Sequence, residues 1–186
     1  MRSPTLDLLA LFSVVFVLET LGGFVGVGSA WFALAAPLSR PWTLVTSVYA
    51  HANLAHLLAN SVALIFIGFA LEQFTTRIRL HLFVLVTGAL SGLAELLVGG
   101  LFGQSVAVLG ASGAILALYG YAIAGNRLTG GVLDRLDLAP RATLALVVGV
   151  ALVVTLVTAS AGVALVAHFT GVVLGVVAGR LGVLRP

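Results

Sequence analysis

Long apolar runs separated by short polar segments constrain the fold of this chain more than any other feature of its sequence. A helix needs about 20 predominantly apolar residues to cross the hydrocarbon core of a bilayer. Six stretches approach that length, at residues 6–28, 53–71, 80–100, 106–125, 142–159 and 163–179. Because lipid offers the backbone no hydrogen-bonding partner, and the runs lack the alternation of barrel strands, each is predicted to be a membrane-spanning helix.

The composition excludes an ordinary soluble domain. Hydrophobic residues make up 61% of the 186 residues and charged residues only 8%, with a mean hydropathy of +1.22. So few charges cannot cover the surface of a soluble globule, whereas a lipid-embedded protein needs no such cover. No repeat, low-complexity tract or linker divides the chain. We therefore expect one all-α polytopic membrane domain over residues 1–186, with membrane lipids as its surroundings.

The positions of the arginines predict the orientation in the membrane. With six spans both termini lie on one side, and eight of the nine basic residues fall on that side, all of them arginine. Only Arg40 falls on the other side, so the positive-inside rule places both termini in the cytoplasm. So few guanidinium groups do not make a nucleic-acid-binding face. The first stretch contains Glu19 and lacks a convincing cleavage site, which indicates a retained span rather than a signal peptide.

Polar residues inside the spans are the candidates for function, because they are costly in lipid. At about 1.5 Å per residue, Ser112 lies roughly 9 Å into the fourth predicted span, and His168 lies at a similar depth in the sixth. His56 and Asn60 are four residues apart and share one face of the second span. These four side chains are predicted to converge on one layer in the outer third of the membrane, where a cavity has access to water. The remaining intramembrane candidates are His51, Glu19 and Glu95.

Glycines support this convergence. Gly171 and Gly175 lie beneath His168 on one helical face, and Gly113 follows Ser112 in the fourth span. Small residues allow two membrane helices to approach closely. Contact between these faces would bring the serine hydroxyl and the imidazole within the ~2.6–3.2 Å that proton transfer requires. A Ser–His dyad without an acidic partner is therefore expected.

Several motifs resemble those of the rhomboid family of intramembrane serine proteases. The string Gly110-Ala111-Ser112-Gly113 is similar to the GxSG motif of the family. His56 and Asn60 resemble its HxxxN motif, and His168 followed by Gly171 resembles its last catalytic helix. Residues 40–51 resemble the approach from the first loop to the second helix, and the similarity covers nearly the whole chain.

The sequence departs from the family pattern at two positions. The usual Trp-Arg pair of the first loop reads Trp42-Thr43, with the arginine displaced to Arg40. The aromatic residue that often follows the serine by four positions is Leu116. Support for the His168 ring must come from elsewhere; Tyr119 and Tyr121 are nearby in sequence, but the sequence places neither against the ring.

The resemblance implies an endopeptidase that cleaves transmembrane segments of other membrane proteins. In that interpretation Ser112 is the nucleophile and His168 its general base, and no cofactor is needed. Asn60, His56 and Gly110, with the Ser112 backbone N–H, would stabilise the oxyanion. Gly113, Gly171 and Gly175 would support helix packing. The arginine-only, Val/Ala/Gly/Leu-rich composition suggests a GC-rich prokaryote and so its cell membrane.

Each of these features also has a structural interpretation. A GxSG string is weak evidence in a chain with 22 glycines, and a buried histidine often only bonds a neighbouring helix. We expect His51 to support the external loop, and Glu19 and Glu95 to form interhelical bonds. His51 and His56 do not have the i,i+4 spacing of a helical metal site, and cysteine is absent, so no metal site is predicted.

Two other functions remain open at this point. A catalytically inactive rhomboid-like protein would bind client helices without cutting them, which the intact serine and histidine argue against. A small transporter or channel would show internal pseudo-symmetry and charged groups along a pore, and the sequence shows neither.

Overall fold

The computed structural model describes residues 3–36, 38–125 and 164–185, together with scattered residues between 142 and 155. This part of the chain is mostly helical, as the sequence predicts. The helices are α1 (Pro4–Phe24), α2 (Thr43–Tyr49), α3 (Leu54–Glu72), α4 (Arg77–Leu101), α5 (Ser112–Gly125) and α6 (Leu165–Leu181), with a 3-10 turn at Ser29–Trp31. Most of the fifth predicted span, 142–159, lies outside the described residues, and that span stays a prediction.

Among the described elements, α1, α3 and α4 are each long and apolar enough to cross a bilayer. The helices α5 and α6 are also apolar but shorter, with 14 and 17 residues. Large apolar side chains are exposed along α1, including Val14, Val17 and Leu21, each more than half exposed. A soluble protein rarely leaves such a face uncovered. The chain is therefore an integral membrane protein whose outer face meets lipid, while the count of six spans stays a prediction.

Side-chain caps fix the starts of the long helices. The Ser3 hydroxyl accepts a hydrogen bond from the backbone N–H of Leu6, and Pro4 occupies the first helical position. Asn53 caps α3 through the N–H of His56, and Thr76 caps α4 in the same way. Each cap satisfies a backbone donor that has no partner within the helix.

Small residues hold α5 at the centre of the bundle, against α6. A Cβ at Gly120 would lie 2.6 Å from the carbonyl oxygen of Val172, and Cβ atoms at Gly171 and Gly175 would collide with the Gly113 and Ala117 carbonyls. Only glycine fits at such contacts, because the two backbones touch directly. The two helices thus meet along the glycine faces that the sequence indicates.

The fourth apolar stretch begins differently from the prediction. Residues 106–111 are not helical, and Ala107–Val108 instead forms strand β2, which pairs antiparallel with strand β1 (Leu34–Ala35). The chain then turns at Gly110, whose φ of +124° is a conformation that other residues rarely adopt. The prediction of a helix from Val106 is wrong for this reason, and Ser112 occupies the first position of α5 rather than its second turn.

The displaced loop arginine still anchors the first loop. The Arg40 guanidinium donates to the Ala30 carbonyl at 2.7 Å and lies 5.2 Å from the centre of the Trp31 ring. The Trp42 indole N–H donates to the Trp31 carbonyl, and the two indole rings stack with centroids 5.9 Å apart. Arg40 and two tryptophans therefore form one exposed cluster that holds the loop between α1 and α2.

Candidate active site

The hydroxyl of Ser112 and the imidazole of His168 are hydrogen-bonded, with 2.9 Å between Oγ and Nε2. Ser112 is the first residue of α5, and His168 lies in the first turn of α6. The contact exists because the glycine faces of these helices bring their starts together. His168 is only 7% exposed. This is the geometry in which a histidine accepts a serine proton.

A cavity of about 650 Å³ opens beside this pair and is lined by all four side chains that the sequence singles out: Ser112, His168, His56 and Asn60. Its walls come from α2, α3, α4, α5, α6 and the β2 turn. The structure therefore brings together the residues predicted to share one layer. The other wall residues include Ser47, Asn53, Gly88, Ser91, Gly92, Gly110, Gly113, Ala164 and Ala167.

Asn60 lines this cavity and carries an unused hydrogen-bond donor. The residue is 5% exposed, and its side-chain Nδ2 has no hydrogen-bond partner among the described residues. A buried amide left unsatisfied costs roughly 1–3 kcal/mol. Such a donor beside a nucleophile is suited to a ligand oxygen that arrives during a reaction.

His56 lies in contact with Gly110, two residues before Ser112. A Cβ at position 110 would lie 2.6 Å from Cε1 and 2.8 Å from Nε2 of the His56 ring. The Gly110 N–H is already bonded to the Ser47 carbonyl at 2.8 Å. Gly110 therefore gives the site its turn and the room for the imidazole, and its own N–H is not available to an oxyanion.

The start of α5 explains physically why the Ser112 backbone N–H, a donor that the resemblance implies, is free of an intrahelical partner. The first backbone N–H groups of a helix have no intrahelical acceptor, and they carry the positive end of the helix dipole. Since α5 begins at Ser112, the backbone N–H of Ser112 belongs to this set. The N–H occupies this position because the chain turns at Gly110. The apolar stretch that starts at Val106 gives no sign of this turn in the sequence.

Sequence reasoning missed two buried serines of the cavity wall. Ser47 comes from α2 and Ser91 from α4, and the Ser91 hydroxyl has no hydrogen-bond partner among the described residues. Ser91 lies against Gly113, because a Cβ added at Gly113 would lie 2.7 Å from the Cβ of Ser91. The only signal in the sequence is the proximity of Ser91 to Gly88 and Gly92 on one helix.

Two carboxylates bond neighbouring elements: half-buried Glu95 makes an interhelical bond, as predicted, whereas buried Glu19 bonds a turn instead of a helix. Glu95 of α4 accepts a hydrogen bond from the N–H of Ala167 at 2.8 Å and so holds the first turn of α6. Glu19 of α1 accepts from the backbone N–H of His51 at 3.2 Å. A carboxylate at a helix N-terminus is also favoured by the helix dipole. The Glu95 contact therefore fixes the residue next to His168.

The hydroxyl groups of Tyr119 and Tyr121 form hydrogen bonds away from His168. The Tyr119 hydroxyl donates to the Ala63 carbonyl at 3.1 Å, and the Tyr121 hydroxyl accepts from the N–H of Leu184. They link α5 to α3 and to the turn after α6. Among the described residues, no group of three or more His, Cys, Asp or Glu side chains is arranged to hold a metal ion.

Comparison with known proteins gives the family. The sequence model of the Rhomboid domain matches residues 38–185. The chain belongs to the rhomboid family. This confirms the resemblance carried by the serine, histidine and asparagine motifs.

Three curated relatives are rhomboid-like proteins of Arabidopsis thaliana. RHOMBOID-like protein 1 is 32% identical over 145 residues, which are 78% of this chain and 35% of that protein. RHOMBOID-like protein 2 is 42% identical over 77 residues, 41% of this chain and 23% of the relative. RHOMBOID-like protein 6, mitochondrial, is 37% identical over 82 residues, 44% of this chain and 25% of the relative.

This rhomboid chain spans about a third or less of the length of these relatives. The relatives are plant proteins, so they give no support to a prokaryotic source. The family and the apolar helices together establish a rhomboid membrane protein.

Proposed function

We propose that this rhomboid family member is an intramembrane serine endopeptidase that cleaves the transmembrane segments of other proteins. The observation that carries the proposal is the 2.9 Å contact between Ser112 Oγ and His168 Nε2 at the edge of the cavity. As part of the same proposal, the chain crosses the membrane six times with both termini in the cytoplasm. The cavity then faces the outer side of the membrane.

Catalysis begins when Ser112 Oγ attacks the scissile carbonyl carbon and His168 Nε2 takes the serine proton. The tetrahedral intermediate collapses as the histidine returns that proton to the leaving nitrogen, which breaks the C–N bond. A water molecule in the cavity then attacks the resulting ester with His168 again as base. This step releases the second product as a carboxylic acid and restores Ser112.

Three donors surround the position of the developing oxyanion. They are the Asn60 side-chain amide, the His56 imidazole and the backbone N–H of Ser112. One such donor typically contributes about 2.7–4 kcal/mol of transition-state stabilisation, equivalent to two to three orders of magnitude in rate. Asn60 contributes most clearly, because its Nδ2 has no protein partner among the described residues.

The substrate must present an unfolded peptide bond to the dyad. Carbonyls within a helix are already hydrogen-bonded, so a transmembrane segment has to unwind locally before Ser112 reaches one. Helices with small or helix-destabilising residues near the cleavage point meet this condition at least cost. We therefore expect selection by helix instability rather than by an extended sequence motif.

The second candidate is a rhomboid-like protein that binds client helices without cleaving them. Leu116, in the place of an aromatic residue, favours it, because that position supplies no ring against His168. Arg40 argues the other way, since it anchors the first loop despite its displacement.

Proteoliposomes with a generic single-span substrate test the proposal. Wild type, Ser112→Ala and the control Ser13→Ala are compared by mass mapping of products and by labelling with a fluorophosphonate. Ser13 is a matched control, because its hydroxyl bonds back to the Leu9 carbonyl of its own helix. We expect cleavage and labelling in wild type and Ser13→Ala only. Substrate capture without cleavage by folded wild type would support the binding protein instead.

A further inference from the structure

A buried polar pair lies behind the site and takes no part in the chemistry described above. Glu19 is 7% exposed and His51 is 1% exposed. Glu19 Oε2 accepts the backbone N–H of His51, while Glu19 Oε1 and His51 Nε2 have no hydrogen-bond partner among the described residues. Carboxylate burial within a membrane helix is costly. This arrangement therefore needs an explanation beyond helix packing.

Glu19 joins α1 to the short turn that leads into α3. Residues 50–53 lie between α2 and α3 and form a short non-helical turn. The bond from Glu19 to the His51 N–H crosses 32 residues of sequence and fixes this turn from the side of α1. Since α3 starts immediately afterwards, the position of the turn sets the position of its first residues.

The His51 ring carries this constraint to His56. Its Nδ1 lies 3.0 Å from the Tyr49 carbonyl, so Nδ1 bears the proton and the ring orientation is fixed. One side of the ring meets Phe12, with centroids 5.0 Å apart. The ring also meets His56 edge to face, with centroids 5.2 Å apart and an interplanar angle of 71°. His56 in turn contacts Gly110, two residues before the nucleophile.

We propose that Glu19 and His51 are positioning residues that hold the His56 imidazole against Gly110 and thereby set the oxyanion-binding part of the site. The inference rests on the proposed protease function. It makes α1, which contributes no residue to the cavity wall, a determinant of the turnover rate. Small displacements of a catalytic group matter here, since a shift of about 1 Å can cost on the order of a hundredfold in rate.

A merely structural role predicts a different result. If Glu19 only ties α1 to the bundle, its replacement lowers the free energy of unfolding. Any loss of activity is then independent of His56, so it adds to the loss caused by His56→Ala. If it acts through His56, its loss lowers kcat with little change in KM, and only while His56 is present. A double-mutant cycle separates the two cases, because residues acting as a unit are not additive.

The experiment measures kcat, KM and thermal unfolding in proteoliposomes for wild type, Glu19→Leu, His56→Ala and the double variant. We expect Glu19→Leu to lower kcat about tenfold or more in the wild-type background. In the His56→Ala background it should lower kcat less than twofold, as expected for residues that act as a unit. Glu19→Gln keeps an acceptor for the His51 N–H and should restore most of the rate.

Additive losses, a rise in KM alone, or no rescue by Glu19→Gln would overturn the positioning role while leaving the protease function intact. Wild type without Ser112-dependent cleavage would overturn both proposals. If Glu19→Leu does not fold, the cycle is run with His51→Phe, which keeps the ring contacts and removes the Nδ1–H. The positioning role then requires that the effects of His51→Phe and His56→Ala on kcat are non-additive in the same way.

Discussion

Gly110 and His56 are in direct contact, and the space between them is too small for any side chain at position 110. A Cβ there would lie 2.6 Å from the imidazole Cε1, and the φ of +124° is unfavourable for other residues. The turn that presents Ser112 and the imidazole that flanks it therefore depend on the same glycine. Steric and conformational requirements coincide at this residue.

Replacing Gly110 by alanine should for this reason lose both stability and activity. We expect a loss of about 1–3 kcal/mol from the strained backbone and at least about a hundredfold lower kcat from displacement of His56. Thermal unfolding and cleavage assays in the same lipid measure both effects. The control is Gly100→Ala in α4, which meets nothing within 4 Å. A Gly110→Ala protein with wild-type turnover would contradict the geometry proposed for the oxyanion.

Asn60→Leu should separate catalysis from stability. Leucine has a similar shape and carries no charge but lacks the Nδ2 donor, so we expect kcat to fall by about two to three orders of magnitude with little change in KM. Removing that donor should not lower the unfolding temperature in the same proportion, because Nδ2 bonds no described protein group. Gln73→Ala, at an exposed amide at the far end of α3, is the control. Equal losses in kcat and stability would count against the oxyanion role.

The stability of the folded protein should decrease in mild acid because of His51. Burial is the main cause that lowers the pKa of this histidine, and the neighbouring His56 lowers it further. The unfolded chain then binds a proton below about pH 6.5, while the folded chain does not, so the free energy of unfolding falls as the pH drops through that value. Unfolding temperatures between pH 7.5 and 5 measure the effect. His51→Phe should show a shallower pH dependence, and an unchanged slope would rule out His51 as the cause.

Gly175→Ala should separate α5 from α6. The added Cβ collides with the Ala117 carbonyl, so the helices must move apart or the backbone must shift. We expect a loss of about 1–3 kcal/mol from overpacking, together with reduced fluorophosphonate labelling of Ser112 as the dyad contact lengthens. Gly23→Ala in α1, which has open space around it, should retain labelling. Full labelling of Gly175→Ala would show that the dyad does not depend on this contact.

The apolar runs predict the long helices well, because a bilayer leaves the backbone few alternatives to a helix. The convergence of Ser112 and His168 follows from their depth and from the glycines beside them. The start of α5 was not predictable in the same way. It depends on pairing between Leu34 and Val108, which are 74 positions apart along the chain. A hydropathy pattern describes neighbouring residues only, so it does not predict pairing between residues so far apart in sequence.

The sequence indicates which polar residues lie near the site, but it does not indicate which groups they bond. Glu19 is predicted to form an interhelical bond, yet its partner is a backbone N–H in a turn, and nothing in the sequence identifies that partner. The sequence likewise does not identify the Ala167 N–H as the partner of Glu95. For Arg40 the sequence pattern is misleading in the opposite direction. Its displacement from the family position suggests a loss of loop anchoring, but Arg40 still anchors the loop through Ala30 and Trp31.

The pairing of β1 with β2 connects the first loop to the residues just before the nucleophile. Leu34 and Ala35 bond the strand that leads into Gly110, and the Ser47 carbonyl accepts the Gly110 N–H. A force applied to this loop therefore reaches Ser112 through backbone hydrogen bonds rather than through flexible side chains. If the proposed protease function holds, an antibody fragment bound to the exposed Trp31–Trp42 surface should slow cleavage from outside the cavity.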